Sequence, residues 1–407
     1  MAAVLLGASD YYVLLEIFIL LAVAQVIHNI TRRAGFPDIV AALVTGMLIG
    51  GYALGGVFDS ALGVSLFTVN TGVLLFADLS VVLLLFSAGL GVGFTSLRQA
   101  GLPAVGAAIA GDLAPFLLTY AVFSQIYPTD QALIIAVASA ATSTAVVAAL
   151  IRGDKLQVTQ GARFLLNAAA LDDVVALVLL SIILALLGGH TNALVLTGGI
   201  ATSVIAWVLL LLASVVVVPR LLRARILRDV ENLPFTMLFV LIALVLALGF
   251  SPIIGAYIAG LAVAESAVAP RTREVTAVLV GIFGPLFFIV IGAEFNVGLL
   301  RDPVLIGFAA LLALTAAGGK ILGVFPYALK GLGSSRKAAT VAVGMIPRSE
   351  IGLTVGAIGF SSGLLTERML GEIVVMAIVT TLVGSVLFRW LSPALSEPAE
   401  TTAPLPP

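Results

Sequence analysis

Apolar runs of about 20 residues, the length of a membrane-spanning helix, follow one another along almost the whole chain, separated by short polar or glycine-rich breaks. The runs are continuously apolar rather than alternating between apolar and polar positions, which predicts helices and excludes a β-barrel. We predict an all-α membrane protein with thirteen spans, at 11–30, 37–55, 71–93, 100–125, 131–151, 161–187, 193–218, 234–250, 252–268, 275–293, 303–328, 337–359 and 368–391.

The composition excludes a soluble protein. Of 407 residues, 61% are hydrophobic and 10% are charged, whereas about 25% are charged in an ordinary soluble domain. A formal net charge of −1 provides no basic surface for nucleic acid, and the absence of cysteine excludes disulfides and thiolate metal sites. No phosphate-binding loop, zinc pattern or nucleophile motif occurs, so the sequence indicates neither an enzyme nor a nucleotide-driven pump.

Lysine and arginine favour one side of the membrane. With the N-terminus outside, most of the 20 basic residues fall at inner ends of spans, which is the usual bias, and the C-terminus is then cytoplasmic. The odd number of spans suggests two inverted halves, spans 1–6 and 8–13, joined by span 7 at 193–218. Residues 1–400 would then form one transport domain, and the proline-rich tail at 392–407 is predicted to be disordered.

Two predicted spans are interrupted at matching places in the two halves. Span 5 contains the small, hydroxylated stretch 138–144, and span 12 contains 344–349 with glycine and proline. Broken helices at matching positions are typical of a binding site near the middle of the membrane. The alternative is that the small residues only allow close packing between helices.

Several ionisable residues lie inside predicted spans, where a charge costs at least about 2.5–3.5 kcal/mol: Asp78, Asp112, Asp172, Asp173, Lys320, Arg348 and Glu350. Asp172 and Asp173 point about 100° apart on one helix, so one can line a cavity while the other pairs sideways. Such a site would hold either a proton or a hard cation, since carboxylate oxygens bind both. Lys320 is a candidate partner for an aspartate. The alternatives are a structural acid pair and a lysine that reaches the membrane surface.

Arg348 and Glu350 flank the break in span 12 and are interpreted as a structural ion pair, because arginine keeps its charge and anchors well. Direct proton handling by Glu350 is the alternative. No role is assigned to four further acids in or near spans: Asp78, Asp112, Glu265 and Glu294.

These motifs together resemble the monovalent cation:proton antiporter superfamily, and within it the electrogenic sodium/proton branch that has two adjacent aspartates. The resemblance covers nearly the whole chain, and the double aspartate with the downstream lysine is its most specific part. It is carried by Ala141-Thr142-Ser143, Asp172-Asp173, the stretch 255–260 leading to Glu265, Gly319-Lys320, and the stretch 344–353.

The resemblance implies a homodimer with the sodium/proton antiporter fold, in which two broken helices cross beside the aspartates and a core domain moves like an elevator. Asp173 would be the essential ion-binding carboxylate and Asp172 would pair with Lys320. Thr142 and Ser143 would line the site for Na⁺. The implied activity is electrogenic exchange of Na⁺ or Li⁺ for H⁺ across the cell membrane, serving pH homeostasis, with no cofactor and no nucleotide.

Three other functions stay open on the sequence. The same superfamily contains K⁺/H⁺ antiporters, and a similar fold carries sodium-coupled symporters of organic anions. A passive channel is a third possibility from another class, although a channel needs no titrating pair of acids.

Overall fold

The computed structural model describes residues 15–23, 25–26, 38–62, 70–95, 101–153, 156, 159–187, 193–223, 232–248, 252–348 and 350–396. All regular structure in these ranges is helical. Beyond residues 15–26, the α-helices are α1 Asp38–Ile49, α2 Leu54–Leu62, α3 Thr71–Val92, α4 Gly101–Phe123, α5 Thr129–Ala138, α6 Thr144–Gly153, α7 Gln160–Leu187, α8 Ala193–Arg223, α9 Leu233–Ala247, α10 Pro252–Ala264, α11 Ala269–Glu294, α12 Pro303–Leu332, α13 Ser335–Gly344, α14 Glu350–Ser361, α15 Glu367–Leu391 and α16 Pro393–Ser396.

The helices follow the predicted spans closely, and spans 5 and 12 each become two short helices, α5–α6 and α13–α14. Within the described residues, seven helical stretches are long and apolar enough to cross a membrane, and four apolar helices are shorter. The prediction of an all-helical membrane protein is therefore confirmed. The count of thirteen spans and the inverted repeat stay predictions.

The helices pack into two bundles. The first contains α1, α3, α10 and α11, with α9 against α10, and the second contains α4 to α7 and α12 to α15. Helix α8 contacts α7 of the second bundle and α10 of the first. The functional side chains described below lie in the second bundle and at its border with the first.

Close contact between helices depends on glycines that bring two backbones together. In the first bundle, a Cβ on Gly46 of α1 would lie 2.0 Å from the Ile289 oxygen of α11, and one on Gly89 of α3 would lie 2.3 Å from the Tyr257 oxygen of α10. In the second bundle, a Cβ on Gly323 of α12 would lie 2.0 Å from the Ala110 oxygen of α4. Small residues at helix crossings are the usual solution in membranes.

The two helix breaks are joined to each other. Proline has no backbone N–H and disfavours helical geometry in the residue before it, so Pro347 explains why α13 ends at Gly344. Across the crossing, the Ser143 N–H donates to the Pro347 carbonyl at 2.8 Å. The Ser143 hydroxyl accepts from the Val146 N–H at 3.2 Å and so caps the start of α6.

The predicted disordered tail begins with ordered residues. Pro393–Ser396 form the one-turn helix α16, and the buried Leu395 packs against the second bundle near Gly161. Burial of this leucine offsets the entropy of ordering the turn. The prediction of disorder at 392–407 therefore does not hold for residues 392–396, and residues 397–407 lie outside the described part of the chain.

Candidate ion-binding site

Lys320 lies at the centre of a buried charge cluster. Its ammonium nitrogen is 2.6 Å from Asp172 Oδ1 and 2.9 Å from Asp112 Oδ1, and all three side chains have 0% exposure. The close crossing of α4 and α12 positions the lysine, since Gly319 leaves room for Pro115 and Gly323 leaves room for Ala110. The lysine is therefore held between two helices that each supply one carboxylate, α4 and α7.

The predicted contact between Asp172 and Lys320 is present, and a second bond fixes the other oxygen of the aspartate. The Thr142 N–H, in the break between α5 and α6, donates to Asp172 Oδ2 at 2.8 Å. This amide is free to do so because it lies where the helix is interrupted. Asp172 thus joins the broken helix to Lys320.

Asp173 faces a different direction, as its neighbouring position on α7 requires. Its Oδ2 accepts a hydrogen bond from the Thr144 hydroxyl at 2.9 Å, and the side chain is 3% exposed. Asp173 and Thr144 line a cavity of about 520 Å³ between the two bundles, whose wall includes Ala88 of α3 and Val280 of α11. One aspartate is therefore enclosed by Lys320, and the other reaches a cavity.

Arg348 binds main-chain oxygens at the crossing of the two breaks. One guanidinium nitrogen donates to the Ala141 carbonyl at 3.1 Å, and the other donates to the Ala316 carbonyl at 3.0 Å. The Ala141 carbonyl lies in the break, where a helix end leaves carbonyl groups without intrahelical partners and with partial negative charge that the arginine neutralises, whereas Ala316 lies inside the continuous helix α12. The predicted ion pair with Glu350 stays a prediction, because the Glu350 side chain lies outside the described residues.

Two residues of the cluster were missed by the sequence prediction. Asp112 was given no role, although it contacts Lys320 directly. Thr144 was passed over in favour of Thr142 and Ser143. The Thr142 hydroxyl donates to the Met345 carbonyl at 3.1 Å, while its N–H serves Asp172.

The sequence carried only a weak signal for both missed residues. A buried acid at Asp112 implies some partner, and Thr144, the last residue of the stretch 138–144, could have been included with its neighbours. Glu265, expected near the membrane surface, accepts from the Thr95 N–H at 2.8 Å. The structure does not join Glu265 to the charge cluster by any hydrogen bond within the described residues.

The charges of the cluster nearly balance. Three carboxylates, on Asp112, Asp172 and Asp173, face two cations, on Lys320 and Arg348. With every group ionised, these described side chains leave one uncompensated negative charge. A single bound monovalent cation, or a single proton, would neutralise them.

A second polar cluster lies at the end of the second bundle where α15 begins. The Tyr127 hydroxyl donates to Glu372 Oε1 at 2.6 Å, and burial, followed by the neighbouring Glu372, raises the pKa of Tyr127 above its ordinary 10.0. The phenol therefore stays protonated and keeps its donor role in alkaline solution. Nearby, the partly exposed pair of Asp302 and Arg368 makes a charged hydrogen bond, which lowers the pKa of the Asp302 carboxyl.

This arrangement can be compared with known proteins. A family model described as sodium/hydrogen exchanger, transmembrane, matches residues 17–392. The chain belongs to the sodium/hydrogen exchanger family. The prediction of a membrane antiporter of the cation:proton type is thereby confirmed, and an antiporter family of this kind exchanges sodium ions and protons.

Individual relatives of this exchanger agree with the assignment. The Na⁺/H⁺ antiporter of Enterococcus hirae is 27% identical over 391 residues, which cover 92% of this chain and 97% of the relative. The Na⁺/H⁺-K⁺ antiporter GerN of Bacillus cereus is 25% identical over 383 residues, which cover 92% and 95%. The exchanger also shares the fold of the sodium proton antiporter MjNhaP1 from Methanocaldococcus jannaschii, with a TM-score of 0.67 at 18% identity, covering 94% of this chain and 97% of that one.

Proposed function

We propose that this exchanger is an electrogenic antiporter of Na⁺ or Li⁺ against H⁺ in the cell membrane, and that Asp173 is its ion-binding carboxylate. The observation that carries the proposal is the position of Asp173, buried at 3% exposure and lining the cavity between the two bundles. A carboxylate that is accessible from a cavity can bind either a proton or a monovalent cation, whereas a carboxylate enclosed on all sides can bind neither.

The chemistry of exchange follows from the two adjacent acids. Carboxylate oxygens are hard ligands that suit Na⁺ and Li⁺, and the same oxygens hold a proton when the cation leaves. Asp172 would become the second carboxylate ligand when its side chain leaves Lys320 and binds the transported ion or proton. The hydroxyl of Thr144, 2.9 Å from Asp173 Oδ2, offers a further oxygen ligand beside those expected from Thr142 and Ser143.

Electrogenic exchange requires more than one proton for each sodium ion. Asp173 would carry the first proton, and Asp172 or Lys320 would carry the second. The empty site keeps uncompensated negative charge, which is costly in a hydrocarbon environment, so the site crosses the membrane only when it is loaded. This penalty would couple the movement of sodium to that of protons.

The cavity suggests how the site gains access to both sides. Its walls come from α3 and α11 of the first bundle and from α6, α7 and α14 of the second. In an elevator-like step, the second bundle with its aspartates would slide along the first, which would also form the contact between the two subunits of a homodimer. With the N-terminus outside, the cavity would open to the cytoplasmic side.

The exchange of K⁺ for H⁺ is a second candidate function, with less support. The name of the relative from Bacillus cereus includes K⁺ beside Na⁺ and H⁺, so K⁺ is included among the ions to be tested. A symporter of organic anions is less well supported, because the cavity reaches an acid rather than a base. A passive channel would need no pair of titrating acids.

The test is reconstitution of the purified protein in liposomes with a lumenal pH dye, driven in turn by Na⁺, Li⁺ and K⁺. We expect saturable alkalinisation of the lumen with Na⁺ and Li⁺ and little with K⁺, at a rate that changes when the voltage is clamped. Equal rates with K⁺ would favour the second candidate. Ion flux that ignores an opposing proton gradient would overturn antiport altogether.

A further inference from the structure

The ammonium of Lys320 has one carboxylate more than a simple ion pair needs. Asp172 lies 2.6 Å away on α7, and Asp112 lies 2.9 Å away on α4, with no exposure of any of the three side chains. Both bonds are made at the same time. The two acids nevertheless have different surroundings, because only Asp172 is the neighbour of the residue that lines the cavity.

Asp112 is placed so that it stays with the lysine when Asp172 leaves. Helices α4 and α12 cross with backbones in contact, since a Cβ on Gly323 would lie 2.0 Å from the Ala110 oxygen and one on Gly319 would lie 2.3 Å from the Cα of Pro115. These contacts lie on both sides of Asp112 along α4. Asp112 and Lys320 therefore lie on two helices whose backbones touch on both sides of Asp112, whereas Asp172 lies on a third helix, α7.

We propose that Asp112 is the second counter-ion of Lys320, and that it holds the ammonium while Asp172 is released to the transported ion or proton. This inference rests on the proposed function, because it assigns a role within the same exchange cycle. Asp112 is a positioning residue in this scheme, because it contacts Lys320 and does not contact the transported ion or proton.

The proposal decides which group carries the second proton. Lys320 would keep its charge through the whole cycle, because one carboxylate always faces it. With Na⁺ bound, three carboxylates, two protein cations and the sodium ion sum to zero. With protons on Asp173 and Asp172, the same cluster carries one positive charge, so the exchange moves net charge without any proton leaving the lysine.

The charged groups that face Lys320 come from three directions. Asp112 approaches from α4 and Asp172 from α7. Arg348 lies across α12, where it donates to the Ala316 carbonyl one turn before the lysine. A second cation in the same buried cluster makes an unpaired ammonium more costly, so the loss of Asp112 would tie Lys320 to Asp172 and oppose the binding of sodium.

The experiment measures Na⁺ binding by titration calorimetry and Na⁺-driven exchange in liposomes for Asp112→Asn and Asp112→Glu. Asp78→Asn serves as the matched control, since Asp78 is an acid of α3 outside the cluster. For Asp112→Asn we expect a rise of about tenfold or more in both the dissociation constant and the half-saturating Na⁺ concentration, with a maximal rate close to the wild type. Asp112→Glu should restore most of the affinity.

A double-mutant cycle separates this role from a purely structural one. In a Lys320→Gln background, Asp112→Asn should change the Na⁺ dissociation constant less than twofold, because no ammonium needs a partner. A wild-type affinity in the single variant, or an equal loss of affinity in both backgrounds, would overturn the proposal. If Asp112→Asn does not fold, adding Lys320→Gln should rescue it, and failure of that rescue would count equally against the proposal.

The wild-type protein distinguishes this inference from the function on which it rests. If the wild type shows no exchange of Na⁺ for H⁺ in the same liposomes, the proposed function fails first. If the wild type exchanges and Asp112→Asn has wild-type affinity, only the role of Asp112 is wrong.

Discussion

Adjacent glycines on α12 allow a sharp test of the contact that positions Lys320. A Cβ added at Gly319 would lie 2.3 Å from the Cα and 2.6 Å from the nitrogen of Pro115, so it would meet the backbone of α4. At Gly318, an added Cβ meets no atom within 4 Å. The variants Gly319→Ala and Gly318→Ala therefore make the same chemical change at neighbouring positions with different surroundings.

The expected difference between the two variants can be worked out from these distances. Cβ contacts under 3.0 Å essentially never occur, so Gly319→Ala must push α4 and α12 apart locally. Overpacking of this kind costs about 1–3 kcal/mol. Replacing glycine inside a helix gains about 0.5–1 kcal/mol in both variants, so Gly318→Ala should be neutral or stabilised and Gly319→Ala destabilised.

The assay is the apparent midpoint of thermal denaturation in mild detergent, read by size-exclusion chromatography after heating. Gly319→Ala should lower the midpoint by a few degrees relative to Gly318→Ala. It should also raise the half-saturating Na⁺ concentration, because the separation stretches the 2.9 Å contact between Lys320 and Asp112. Equal midpoints in the two variants would refute the claim that the close crossing of α4 and α12 determines the position of the lysine.

Three further predictions concern single side chains. Asp173→Asn should abolish sodium-driven proton movement in everted vesicles while the protein stays folded, because the site loses its anionic ligand; retained exchange would refute the assignment. Tyr127→Phe should lower stability by about 1–3 kcal/mol, since the buried Glu372 loses its donor, and an unchanged denaturation midpoint would contradict this. Arg368 lowers the pKa of Asp302 from 3.8, so the stability that the pair contributes is present above that pH and is lost as the pH falls below it. Asp302→Asn should therefore lower the midpoint at pH 6, and its difference from the wild type should shrink as the pH falls below 3.8; a difference that grows in acid would rule the pair out.

Each of these variants has a matched control. Asp78→Asn removes an acid from a span outside the charge cluster. Tyr120→Phe removes a phenol whose ring stacks on Phe116. Asp130→Asn removes an acid from the first turn of α5, near Tyr127 in sequence.

Much of the fold could be predicted because a bilayer imposes a simple rule on sequence. Apolar runs of spanning length must be helices, since every backbone group in the hydrocarbon needs an internal partner. The interruptions at 138–144 and 344–349 were readable for the same reason, because glycine, proline and hydroxylated residues tolerate a broken helix. The exact ends of the short helices α5, α6, α13 and α14 could not be predicted from the sequence. For this reason Ser143 was chosen as a site residue and Thr144 was missed.

The part of the site that could be predicted is the set of charged residues whose burial in the membrane is energetically costly. Asp172, Asp173 and Lys320 are expensive in a membrane and so had to be partners or ligands. Asp112 carried the same cost, but its contact with Lys320 joins residues 208 positions apart, and no local pattern encodes the crossing of α4 and α12. Arg348 was expected to pair with Glu350, whose side chain lies outside the described residues; its contacts with the Ala141 and Ala316 carbonyls join distant parts of the chain, and no local pattern indicates them.

The backbone contacts in the first bundle have a mechanical consequence. At Gly46, where α1 meets α11, and at Gly89, where α3 meets α10, the two backbones touch without a side chain between them, so a rotamer change at these points cannot loosen the contact. These four helices should therefore move as one rigid body within the bilayer. Any sliding that carries Asp173 from one water phase to the other would then be confined to the wall where Ala88 and Val280 meet the opposite bundle.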